Sequence, residues 1–373
     1  MKDFKIFLSI LIILLSSCYR KNLQDQDNII PVKFKIDIPQ SLSNANEQET
    51  KVHSEDENIL GPRIYRNLRN FIYIGEFASN IIQGIFQSIN KYNLSQEITF
   101  SYTSREDGRI KDVVVNSNVQ YENRHWQFKM TITDVEIEEE DDDEDKGIAL
   151  VVYWNTDPVE GIALIKFKNL NANINDAFDN TMFRIEYSEN SKNTMGYDEI
   201  MRIFISDWAN DETNRYCMKN LMMFVGRKGS RVDVYGNSDH PYAWLLIQDN
   251  QGLNWAFVAS ANINKDIAVA EIGLPPRTLN SSQRSVLLEQ YSIKNVLTNE
   301  INEWFYAMHH FYPNSEQLAF YLQNAEAPGM FNRLGFVQGG GTPPSPDYNE
   351  LIDAIKNLSP FNPYTVANLS IEF

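Results

Sequence analysis

The chain is poor in the residues that build common catalytic and scaffolding devices. It has two cysteines in 373 residues, Cys18 and Cys217, so one disulfide is the most it can form and a disulfide scaffold is excluded. Five histidines are scattered, with His53, His125 and His240 standing alone and His309-His310 adjacent. Neighbouring helical residues point about 100° apart, so that last pair cannot grip one metal as an i, i+4 pair does. No His-Glu-x-x-His, Cys-His cluster or Gly-x-Ser-x-Gly elbow is present. Basic charge is scarce too: 33 Lys and Arg stand against 50 Asp and Glu, and the densest clusters, Arg63-Arg66-Arg69 and Arg227-Lys228-Arg231, hold three cations each. A nucleic-acid partner, which needs a basic stripe to neutralise phosphates, is excluded. No internal repeat is visible.

The apolar run Ile6–Leu15 follows Lys2 and Lys5. It is too short to span a bilayer and has the size of a signal-peptide core. It ends on Leu15-Ser16-Ser17-Cys18, which resembles the lipobox of bacterial lipoproteins. The resemblance covers only the first twenty residues. It implies that residues 1–17 are removed and that Cys18 becomes a lipidated first residue, with three acyl chains as in lipoproteins of this kind. One acyl chain holds a protein marginally and two or more hold it stably. Tyr19, where an Asp would signal retention in the inner membrane, implies delivery to the outer membrane. Lipidation of Cys18 would leave Cys217 as the one remaining thiol, expected as a small buried hydrophobe.

Residues 18–60 are rich in Asn, Gln, Asp, Glu and Ser and are expected as a flexible tether, with the patch Val32-Phe34-Ile36-Ile38 as an optional edge strand. From Gly61-Pro62 to about Tyr92, Ile64, Leu68, Phe71 or Ile72, Ala78, Ile82, Ile85 and Ile89 recur at three- and four-residue steps. That spacing predicts a helix of about eight turns, buried over most of its circumference because Ile74, Phe77 and Ile81 widen its apolar face.

Residues 97–273 then alternate at period two in eleven or twelve short segments separated by turn signals such as Glu106-Asp107-Gly108 and Asp157 to Gly161. After Pro275-Pro276 a helix is expected, capped at Asn280-Ser281-Ser282 and carrying Leu297, Ile301, Trp304 and Met308 on one face. A short helix after Ser315, a loop over Gln338–Pro346, a helix over Asp347–Leu358 and a final strand over Thr365–Phe373 complete the chain. The expected organisation is a helix-plus-sheet domain over 61–275 and a helical region over 276–373 packed on the same body.

Formal net charge is −17, and nine of those charges lie in Glu136–Asp145, so without that run the chain stands at −8. Asp141, Asp143 and Asp145 alternate as calcium ligands do. The positions that an EF-hand loop fills with Gly and Glu are Lys146 and Val152, however, so the run is read as a solvated hairpin tip. Asp239-His240, in Gly236-Asn237-Ser238-Asp239-His240-Pro241, is the one short stretch that brings catalytic residue types together. The same residues suit a turn between strands. Arg227-Lys228-Gly229-Ser230 reads as a hairpin tip, and the strand aromatics as core residues that a fold of this class can also use to line a pocket.

The expected fold is α+β: a long helix packed against a large curved antiparallel sheet, half-barrel-like, with C-terminal helices. At the level of shape this is similar to periplasmic lipoprotein carriers, a similarity that assigns no residues. The expected protein is lipid-anchored through Cys18 at the outer membrane and non-catalytic, binding or chaperoning an apolar ligand or an envelope protein, with no metal or cofactor. Two alternatives stand beside it. One is an envelope hydrolase with a dispersed carboxylate pair, which has no spacing rule. The other is a component of an outer-membrane β-barrel, suggested by the alternating ending Leu369–Phe373.

Overall fold

A computed structural model describes residues 29–43, 60–90, 97–138, 145–189, 196–209, 217–247 and 251–373. Cys18, His53 and acidic residues 139–144 lie outside the described residues. Thirteen strands follow one another in sequence order in one open antiparallel sheet, with β1 and β13 as its edges. The chain divides into two compact units, and the breaks fall at Lys35/Ile36, Phe77/Ala78, Glu189/Asn190 and Ile371/Glu372.

The predicted long helix, α1, spans Gly61–Asn90, and of its thirty residues only Arg66 and Gln87 are exposed. Residues Gly61–Phe77 belong to one unit and Ala78–Asn90 to the other.

The unit with the second half of α1 holds β1 (Ile98–Thr103), β2 (Ile110–Tyr121), β3 (Arg124–Asp134), β4 (Ile148–Thr156), β5 (Val159–Lys166) and β6 (Met182–Glu189), with short helices α2 (Val135–Glu138) and α3 (Phe167–Leu170). Phe86 of α1 meets Trp154 edge-on at 5.6 Å and Phe34 at 5.1 Å. The Phe34 ring fits against the bare Cα of Gly161, where a Cβ would stand 2.6 Å from it. Gln83 treats the N-terminal segment as a neighbouring strand would: its Oε1 accepts from the Phe34 amide at 2.7 Å and its Nε2 donates to the Val32 carbonyl at 2.8 Å. Trp154 Nε1 donates to Ile29 O at 2.7 Å and Lys35 Nζ to Asn80 Oδ1 at 2.8 Å.

The second unit holds β7 (Glu199–Ser206), β8 (Asn220–Lys228), β9 (Arg231–His240), β10 (Leu253–Asn262), β11 (Ile267–Gly273), β12 (Gly329–Asn332) and β13 (Gly335–Gly339). Helices α4 (Ile293–His309), α5 (Ser315–Tyr321), α6 (Tyr348–Ile355) and α7 (Pro363–Ala367) complete it. Gly75 lets α1 come down on β8, since a Cβ there would lie 2.4 Å from Met223 Cε. Tyr65 stacks on Phe336 at 5.0 Å and donates to Glu326 O at 2.9 Å. The opposite sheet face is covered as well: Tyr348, Leu351, Ile355, Leu358 and the π-helical turn Ser285–Gln290 pack on Ala256, Val258, Val269 and Met330.

Several expectations are corrected. Residues 29–43 are not tether: Phe34, Ile36 and Leu42 are fully buried, Arg69 Nη2 donates to Gln40 O at 2.5 Å, and the Ser41 amide donates to Asp266 at 2.9 Å. Patterning undervalued this strip because its backbone groups are met by distant side chains, Gln83 and Arg69 of α1 with Trp154 and Asp266, and not by a neighbouring strand. Helix α4 starts at a Ser292 cap, not at Asn280, and buries Ile293, Leu297, Ile301 and Phe305 while Met308 is 63% exposed. The expected last strand over Thr365–Phe373 does not form: Thr365–Ala367 belong to α7, opened by the Asn362 cap and Pro363, and 368–373 are neither helix nor strand. The carbonyls of Val366 and Ala367, which a strand would offer to a neighbour, are taken by Asn220. The β12–β13 hairpin falls on the residues leading into the predicted loop, with strands too short to announce themselves by alternation.

Ile82 is fully buried in α1. Ile82→Asp places a carboxylate in that core at a cost of several kcal/mol unless it protonates. The variant should melt well below the parent or aggregate, as differential scanning calorimetry would read. An unchanged melting temperature would mean that the helix is not packed as described.

Candidate functional site

Asp239 and His240 are not in a turn. They are the last two residues of β9, and both are fully buried. Successive strand residues face opposite sides of a sheet, and the register places Asp239 opposite Asn220 and Asn254 while His240 lies opposite Leu253. The pair therefore cannot act together on one substrate.

On the α1 side, His240 Nε2 lies 2.9 Å from Ser238 Oγ, a spacing suited to a serine–histidine dyad. Phe71 and Trp255 seal it, with ring centroids 4.5 and 4.6 Å from the imidazole, and Ser238 has no exposed surface. The arrangement is a packed polar contact inside the helix–sheet interface. Trp255 Nε1 finds no hydrogen-bond partner among the described residues.

On the other side, Arg277 holds the Asp239 carboxylate through two bonds, Nε to Oδ1 at 3.0 Å and Nη2 to Oδ2 at 2.7 Å. Burial pushes this carboxyl up, and the guanidinium offsets only part of that rise. Its neighbours on the same face are anchors for the C-terminal segment. Asn220 Nδ2 donates to Val366 O at 2.9 Å, Asn237 Oδ1 accepts from the Phe361 amide at 2.7 Å, and Asn237 Nδ2 donates to Asn254 Oδ1 at 2.7 Å. Each bond satisfies chain polarity that burial would otherwise leave unpaired, which costs about 1–3 kcal/mol per group.

The first unit contains a polar centre that the sequence reading missed. Lys111 is completely buried, and its ammonium donates to Asp107 Oδ2 at 2.9 Å, Asp134 Oδ2 at 2.5 Å and Asn169 O at 2.9 Å. Burial alone would raise the Asp107 carboxyl. Against it, the Ala172 amide, the Lys111 ammonium and the Arg109 amide donate to the carboxylate and hold it at about 2. All three lysine protons are used, so the cluster is a knot tying the β1–β2 hairpin, the end of β3 and α3. The available signal was register: Lys111 occupies the same alternating positions as the buried Val113 and Val115.

A surface feature remains. From Tyr306 to Phe320 no residue is buried, and Tyr306, Met308, Phe311, Tyr312 and Phe320 are each more than half exposed. This is the tip of the α4–α5 hairpin. The rings order one another: Tyr306 stacks on Tyr312 at 5.3 Å, His309 on Phe311 at 5.4 Å, and Trp304 meets Tyr321 edge-on at 6.1 Å. His310 closes α4 in the left-handed conformation, and Asn314 and Gln317 form a capping box that starts α5. Of the four residues that share one face of α4 by spacing, Leu297 and Ile301 are buried, Trp304 is half-buried and Met308 is exposed. Among the described residues no group of three His, Cys, Asp and Glu side chains is placed to hold a metal ion.

Lys111→Met should cost about 3–5 kcal/mol at neutral pH by leaving the buried Asp107 carboxylate without a cation and Asp134 with only its 3.5 Å contact to Arg109. Asp107 has a depressed folded pKa, so the stability it contributes is present above its unfolded pKa of about 4 and is lost as pH falls toward 2. The gap between parent and variant, read by urea titration, should therefore narrow in acid. A constant gap would mean that the carboxylates are not what the lysine compensates.

Comparison of the chain with protein-family models, curated proteins and solved structures finds no match.

Proposed function

We propose that this is a lipid-anchored protein of the outer membrane that binds at the cell envelope without catalysis, and that its binding surface is the aromatic tip of the α4–α5 hairpin. The observation that carries the reading is the set of ordered, more than half exposed aromatic side chains between Tyr306 and Phe320. Monomeric surfaces rarely concentrate apolar residues unless a partner meets them.

Two further features support it. The sheet face on which a carrier would shelter acyl chains is occupied by α1 in each unit, with Phe86 against Trp154 and Gly75 against Met223, which favours a surface site over an enclosed one. The one candidate carboxylate, Asp239, is buried and held by Arg277. Attachment is assigned to Cys18 on the resemblance of Leu15-Ser16-Ser17-Cys18 to a lipobox; among the described residues no helix is long and apolar enough to cross a membrane.

Cys18→Ala should abolish incorporation of a labelled fatty acid and release the protein from membranes without detergent. Label that persists in the variant would sink the anchor, and with it the envelope assignment.

A further inference from the structure

We infer that the partner of the α4–α5 tip is the lipid bilayer itself, so that the protein contacts the membrane twice, through its acylated N-terminus and through this aromatic tip. The inference rests on the proposed anchoring at Cys18 and goes beyond it.

The chemistry of the tip favours a lipid interface. Between Glu303 and Glu316 the sequence is Trp-Phe-Tyr-Ala-Met-His-His-Phe-Tyr-Pro-Asn-Ser, which holds no Lys, Arg, Asp or Glu. Trp and Tyr pair an apolar ring with one polar atom and so settle where hydrocarbon gives way to headgroups. Placing Trp304–Ser315 there strands no fixed charge and removes water from Phe311, which is 53% exposed; Phe320, 63% exposed, stands one turn beyond the single carboxylate of the tip, Glu316. The absence of cations means that headgroup charge is not what is recognised, so a zwitterionic surface suffices.

The leash adds a second argument. The chain is held at Ile29, whose carbonyl Trp154 bonds, and at Val32 and Phe34, which Gln83 bonds. The stretch from Cys18 to Ile29 is eleven steps and reaches at most about 40 Å, at about 3.3–3.6 Å per residue. An anchored body is thus confined to the neighbourhood of the bilayer, where an interfacial contact is formed at high effective concentration.

The test uses the full chain, lipidated and reconstituted into phosphatidylcholine vesicles. It carries Met308→Cys labelled with a polarity-sensitive fluorophore. Lys356→Cys, at an exposed position just after α6, serves as the control, and Cys217 is buried. Mass spectrometry of the same preparation reports the acyl groups on Cys18, so loss of the anchor and loss of the tip contact are read separately. The tip probe should shift to the blue and be quenched by spin-labelled acyl chains at least about threefold more than the control, as expected of an interfacial segment. Adding Tyr306→Ser, Phe311→Ser and Phe320→Ser should remove that difference without lowering the melting temperature, since all three side chains are more than half exposed. Equal quenching at the two positions in an acylated preparation would overturn the inference. So would a blue shift that grows with protein density and is insensitive to the lipid quencher, which would make the tip a contact between copies of this chain.

Discussion

An open antiparallel sheet of thirteen strands must have its apolar face covered, and in this protein one helix meets that demand. α1 is continuous through thirty residues, and its two halves supply the buried layer of the two units. Its composition follows from the task. Ile64, Leu68, Ile72, Phe77, Ile82 and Phe86 are fully buried, each contributing about 1.5–3 kcal/mol by leaving water. Its polar residues are spent on the N-terminal strip: Gln83, Asn80 and Arg69 bond residues 32–40, which closes the interface with no further strand.

The buried polar residues fall into the same logic. Lys111 sits between Asp107 and Asp134 with every proton donated, and Asn220, Asn237 and Asn254 line one sheet face where the C-terminal segment is held. A buried ion pair adds little net stability over an apolar replacement, yet it tolerates the loss of one partner badly. Such groups fix which segment packs where. Strand alternation turns Asp239 toward Arg277 and His240 toward Ser238, so two residues adjacent in sequence serve opposite faces of the sheet.

Much of the architecture was legible in the sequence, because periods of 3.6 and 2 are imposed by one-sided burial. The eight-turn helix, the Glu106-Asp107-Gly108 hairpin and the order of strands from Ile98 to Ile272 follow from spacing alone. What stayed hidden depended on contacts between distant residues. Nothing local marks Phe34 as the side chain that fills the space over Gly161, or Asn220 as the group that takes the carbonyls of α7. Trp304 and Met308 carry the periodicity of a buried face and remain outside the core, because period reports only that one side of a helix is apolar. The aromatic density from Trp304 to Tyr312, more than its period, was the signal available for a surface role.

Amide hydrogen exchange on the intact protein tests the covering of the sheet most directly. The amides of α1 from Ile72 to Ile82, together with that of Phe34, should exchange only through global unfolding and rank with the central strands as the slowest in the protein. Rapid exchange of α1 or of residues 32–36 while β4, β5, β8 and β9 remain protected would show that the sheet holds without its helix, and would contradict this account of the fold.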